Sequence, residues 1–110
     1  MNAAQLTEDE AALLNDVSDD DYGLWELNSS MVLSMPLLVD AISRGHIRVF
    51  AGEFGGEMQE LPPEAATRCI EDQASWQYRE PPEKVFTVMT STQGMEALRH
   101  WWDQRGTQPL

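Results

Sequence analysis

Pro36-Leu37-Leu38-Val39-Asp40-Ala41-Ile42-Ser43-Arg44-Gly45-His46-Ile47-Arg48-Val49-Phe50 carries three signals in succession. Leu37, Leu38, Ala41 and Ile42 recur at helical spacing and form one apolar face. Gly45 then stands where a helix commonly ends in a left-handed residue. From His46 to Gly52 the chain alternates, with Ile47, Val49 and Ala51 on one side and His46, Arg48 and Phe50 on the other, which is strand patterning. Ser34 is positioned to cap this helix, with Pro36 in its first turn.

Upstream, Thr7-Glu8-Asp9-Glu10 fits a capping box, since the Thr7 hydroxyl and the Glu10 carboxylate can satisfy each other's backbone N–H groups. Ala11, Leu13, Leu14 and Val17 supply an apolar stripe, and a helix is expected over about 8–17. Tyr22, Leu24, Trp25 and Leu27 suggest a short second helix over about 20–29, ended or loosened by Asn28-Ser29-Ser30.

Downstream, Glu53-Phe54-Gly55-Gly56-Glu57 reads as a flexible loop with a lone aromatic. Leu61-Pro62-Pro63-Glu64 opens a helix over about 63–76, with Ala65, Ala66, Cys69, Ile70 and Trp76 on its apolar face. Tyr78 to Glu83 is a loop. Lys84 to Thr90 is a second strand rich in β-branched and aromatic residues. Thr92 and Gly94 lead into a last helix over about 93–105, with Met95, Leu98 and Trp102 inward and Trp101 at the edge. Gly106 would end it. Two strands alone are marginal and must lie against the helices to persist. The expectation is therefore an α+β domain of 110 residues, with helices packed on a small antiparallel sheet and a helical insertion between the strands. Residues 1–6 and 107–110 are expected to fray.

This order resembles a winged-helix domain. The likeness rests on Leu37 to Phe50 and on Phe86-Thr87-Val88-Met89-Thr90-Ser91-Thr92-Gln93-Gly94-Met95-Glu96-Ala97, where a strand ends in a Thr-x-x-Gly-like turn that starts a helix. The segment Asp20-Asp21-Tyr22-Gly23-Leu24-Trp25-Glu26-Leu27 is similar to one in small, poorly characterised bacterial proteins of this shape, some of which look like accessory or immunity-type proteins. The chain departs from the winged-helix pattern in two ways. Residues 53–83 replace a short wing hairpin, and the third helix offers Ser34, Asp40, Ser43 and Arg44 where a DNA reader brings bases and amides.

Charge sharpens that departure. Nineteen acidic residues against seven basic ones give a net charge of −12. Residues 1–43 hold nine of the acids and no Lys or Arg. Such a field repels phosphate backbones and suits a basic protein partner, or serves solubility alone. No stretch approaches the roughly 18 apolar residues of a membrane span. The start lacks a signal-peptide pattern and the single Cys69 cannot pair internally, which together favour the cytoplasm.

No constellation points to catalysis, a metal or a cofactor. Asp19-Asp20-Asp21 is the densest charge cluster; three carboxylates there suit helix capping, a partner-facing patch or a cation, though the spacing does not suit calcium. His46, His100 and Cys69 are too scattered for zinc, and Cys69 reads as an inert buried thiol. Glu53, Glu57, Glu60 and Glu64 sit in polar loop surroundings and read as solvated. Gly52-Glu53-Phe54-Gly55-Gly56 lacks the lysine of a phosphate loop. The expected function is a non-enzymatic acidic module, of the immunity or inhibitor type, that neutralises a basic partner such as a toxin domain. Asp19, Asp20, Asp21, Tyr22, Trp25 and Glu26 would bind that partner, the acids steering and the rings anchoring. The alternative is a winged-helix regulator with Arg44, Arg48 and Arg79 on DNA phosphates.

Overall fold

Helix α1 (Glu8–Asp16) begins as its capping box dictates: Glu10 N–H donates to Thr7 Oγ1 at 3.1 Å, and Thr7 N–H to Glu10 Oε1 at 2.7 Å. These contacts come from a computed structural model that describes residues 6–18 and 22–105. Leu6, expected to fray, is instead 5% exposed and belongs to the core. An apolar side chain so close to α1 gains more by burial than its backbone loses in freedom.

The second expected helix forms only over its later part, and as a 3-10 helix. Tyr22–Gly23 forms strand β1, and Leu24–Ser30 winds as a 3-10 segment that runs directly into α2 (Met31–Ser43). Tyr22 pairs with Val88 and Gly23 with Thr87, so sheet pairing overrides the weak helical spacing of this stretch. The 3-10 segment ends at Ser30, within the expected Asn28-Ser29-Ser30, but α2 starts at the very next residue. Ser30 Oγ donates to the Leu27 carbonyl at 3.1 Å and lies 3.0 Å from Ser34 Oγ, so Ser34 is a buried residue inside α2 rather than its cap. Pro36 therefore lies beyond the first turn and leaves the Val32 carbonyl without its usual i+4 donor.

Gly45, at φ +76°, ends α2 in the left-handed region as expected. Strand β2 (Ile47–Gly52) follows. A tight turn closed by Gly56 N–H on the Glu53 carbonyl at 2.9 Å, with Gly55 at φ +81°, leads into strand β3 (Met58–Glu60). Helix α3 (Pro63–Glu71) stops well short of the expected residue 76. Asp72 breaks it by accepting from Ala74 N–H at 3.0 Å, starting a 3-10 turn over Gln73–Trp76. Strand β4 (Val85–Thr90) and helix α4 (Thr92–Arg105) complete the chain.

The sheet is antiparallel in the order β1-β4-β2-β3. The central pair runs from Ile47 opposite Thr90 to Gly52 opposite Val85. Residues directly opposite share a face, so Ile47, Val49, Val88 and Thr90 point one way, and Arg48, Phe50, Met89 and Thr87 the other. The first set joins the core with Leu14 of α1, Leu38 and Ile42 of α2, Ile70 of α3 and Leu98 of α4. Helices thus cover one face of a small sheet, an α+β arrangement. Thr90 ties the layers together: its Oγ1 donates to the Leu14 carbonyl at 2.7 Å and its N–H to the Val17 carbonyl at 3.1 Å. On α4, Trp101 packs against the core while Trp102 is 39% and Met95 37% exposed, the reverse of the expected tryptophan order. The helix meets α1 and β4 along a stripe centred on Leu98, and Ala97 and Trp101 flank that stripe.

His46 is buried where α2 turns into β2. Desolvation, then the nearby Arg44 charge, push its pKa below the ordinary 6.5, against the opposing pull of Glu10 and Asp40. The folded protein thus holds His46 neutral where the unfolded chain would protonate it. Stability is complete above pH 6.5 and falls as the pH drops from 6.5 toward the lowered folded value. Urea midpoints of wild type and His46→Gln at pH 7.5 and 5.5 check this: wild type should lose more between the two pH values than the variant.

Candidate functional site

The feature that stands out lies on the sheet face away from the helices. Side chains alternate along a strand, so Tyr22 points with its partner Val88 toward the core, and the Cβ direction of Gly23 points outward with Thr87. The Trp25 indole occupies that outward space: a Cβ on Gly23 would stand 2.5 Å from its ring carbons. Glu26 turns its carboxylate back to accept from Gly23 N–H at 3.1 Å, which holds the start of the 3-10 segment against β1.

Two distant segments bring rings to the same place. Phe54 sits at the tip of the β2–β3 turn, and Tyr78 follows the 3-10 turn after α3. The Trp25 and Phe54 centroids are 5.3 Å apart at 87°, Trp25 and Tyr78 5.2 Å at 63°, and Phe54 and Tyr78 5.9 Å at 82°. All three contacts are edge-to-face, the geometry that ring quadrupoles favour. Phe54 is still 52% and Tyr78 45% exposed. The cluster is therefore a structured aromatic surface carried on three separate segments, the 3-10 segment after β1 and two loops. Glu53 and Glu57 flank Phe54 in the chain, and Arg79 and Glu80 follow Tyr78, all exposed.

Further along this face, Arg48 lies with its guanidinium carbon 5.0 Å from the Phe50 ring centroid and donates to Glu60 Oε1 at 2.9 Å. The pair raises the pKa of Arg48 and lowers that of Glu60. Arg44 is paired as well, with Asp40 at 3.1 Å and Glu10 at 3.7 Å. Two of the three arginines considered for phosphate contact thus already face carboxylates.

Of the residues expected to bind a partner, Asp19, Asp20 and Asp21 lie outside the described residues. Tyr22, Trp25 and Glu26 do not share a helix face: Tyr22 packs against the core, Glu26 is exposed and braces Gly23, and only Trp25 joins the cluster. Phe54 and Tyr78 were missed as site residues. The available signal was an aromatic in each of two turn-rich segments, where burial does not explain a large ring. Cys69 is half-buried, and desolvation pushes its thiol pKa up, so it is held protonated rather than as a reactive thiolate. No group of three His, Cys, Asp or Glu side chains suited to a metal occurs among the described residues. No helix among them is long and apolar enough to cross a membrane. No protein-family model, no curated protein and no solved structure matches this chain.

Proposed function

We propose that this chain is a non-enzymatic binding module for a basic protein partner, of the immunity or inhibitor type, with Trp25, Phe54 and Tyr78 as its aromatic anchor. One observation carries the reading. Three rings from three separate segments are held edge-to-face while two of them stay about half open to solvent. Tyr and Trp bury large area with few rotors, so a surface that already orders them loses little entropy on binding. The net charge of −12, with three aspartates immediately before Tyr22 in the chain, supplies long-range attraction for a basic partner. The winged-helix-like reading draws support from the order of β1, α2, β2 and β4 in the chain and from β4 lying between β1 and β2. DNA binding draws none, because Arg44 and Arg48 are already paired with carboxylates.

Affinity capture from the native host, read by mass spectrometry, tests the proposal. Wild type should retain a basic protein that the folded Phe54→Ala/Tyr78→Ala variant loses. With that partner purified, Asp20→Lys/Asp21→Lys should slow association at low salt. Equal retention by both proteins and an unchanged on-rate would overturn the reading.

A further inference from the structure

A second surface lies on the helical side and includes none of the three rings. Between α1 and the first turns of α2 runs an open groove of about 350 Å³, floored by the buried Leu13 and Leu27. Val32 and Leu33 stand on its α2 side at 87% and 72% exposure, the two most exposed large apolar side chains among the described residues. The α1 side carries Asp9, Ala12 and Asp16, all exposed and on one stripe of the helix. Asp9 and Asp16 have no ion-pair partner among the described residues.

We propose that this groove docks one amphipathic helix of a basic partner, its apolar stripe on Val32 and Leu33 and its Lys or Arg residues beside Asp9 and Asp16. Spacing and charge argue for that occupant. The two aspartates are seven residues apart on a helix, about 10.5 Å at 1.5 Å per residue. Bases at i and i+7 of an incoming helix share that spacing, and residues i+4 and i+8 form the adjacent stripe that turns to the groove. The groove lies within residues 1–43, which contain no Lys or Arg. A second copy of this chain is a poor occupant. A two-fold contact would set Asp9 and Asp16 against themselves on molecules each carrying −12. Anionic lipid is repelled for the same reason.

The probe is a fluorescein-labelled 18-residue helical peptide of Leu and Lys, with Leu at i+4 and i+8 on the stripe beside Lys at i and i+7. Its control has the same composition with the leucines spread around the helix. Fluorescence anisotropy at low salt should show the patterned peptide binding more tightly than the control. Val32→Ser/Leu33→Ser should weaken it about tenfold, as for loss of apolar anchors. Asp9→Asn/Asp16→Asn should weaken it and flatten its salt dependence. Both pairs are exposed, and far-UV circular dichroism verifies that the variants fold. Amide shifts should fall on Asp9–Asp16 and Val32–Leu37. Equal binding of the control peptide, indifference to the Val32/Leu33 change, shifts centred on Trp25, Phe54 and Tyr78, or a dimer that Leu33→Ser dissolves would each overturn the proposal. Phe54→Ala/Tyr78→Ala should leave peptide binding unchanged, so failure of the aromatic-anchor reading and failure of this one are separable.

Discussion

Trp76→Ala is expected to destabilise the protein by about 3–5 kcal/mol, the range for emptying a fully buried aromatic site. Trp76 is the largest side chain with no exposed surface, and it packs in the central core. Its indole N–H also donates to the Ile70 carbonyl at 2.8 Å, tying the 3-10 turn to the end of α3. Removing the ring opens a cavity and leaves that carbonyl without its side-chain donor. The two losses separate in a second variant. Trp76→Phe keeps most of the apolar volume but removes the donor, and should cost less than the alanine change. Thermal unfolding checks both. At about 4 °C per kcal/mol for a domain near 100 residues, Trp76→Ala should lower Tm by about 12–20 °C. A drop under about 4 °C, roughly 1 kcal/mol, would mean that the site can collapse around a smaller residue.

Gly94→Ala should rank next, at about 3 kcal/mol, the upper part of the range for overpacking. Gly94 lies in the first turn of α4, directly on the turn between α2 and β2. A Cβ there would collide with the His46 carbonyl oxygen and stand 2.7 Å from Thr90 Cγ2. The neighbours cannot easily yield. The same His46 carbonyl accepts from Ser91 N–H at 2.9 Å, Ser91 Oγ donates to the Gly45 carbonyl at 2.6 Å, and Gly94 N–H donates to Ser91 Oγ at 3.0 Å. Alanine is the better helix former by about 1 kcal/mol, so helix propensity alone predicts stabilisation. The close approach of backbone to backbone outweighs it, because relieving the clash means shifting α4 off the turn between α2 and β2. Urea denaturation decides between them: a raised midpoint would show that α4 can slide outward at little cost.

These two positions show which parts of the molecule were legible in the chain. Trp76 was placed on an apolar face by spacing alone, and it is buried. Gly94 was read as a turn residue, but its closest neighbour, His46, is nearly fifty positions away, and no local pattern reports such a contact. The same divide runs through the site. Trp25 stood out because it sits beside a run of acids. Phe54 and Tyr78 looked like isolated loop residues, since a contact among positions 25, 54 and 78 has no period. Tyr22 and Trp25 fit either core packing or an anchor by local pattern, and pairing with Val88 sets Tyr22 toward the core.

By itself the sequence determined the α+β class, the capping box of α1, the glycine stop at Gly45, the central pair of strands and the acidic first half. Each follows from local spacing, backbone conformation or charge, which act between residues near in the chain. Only the tertiary structure decided that Tyr22–Gly23 is a strand, that Met58–Glu60 adds another, that Trp101 rather than Trp102 packs inward, and that Trp25, Phe54 and Tyr78 meet. Those outcomes depend on which groups satisfy backbone hydrogen bonds and fill space across long separations. In a stretch whose local preferences are nearly balanced, a few kcal/mol of pairing and burial chooses the structure.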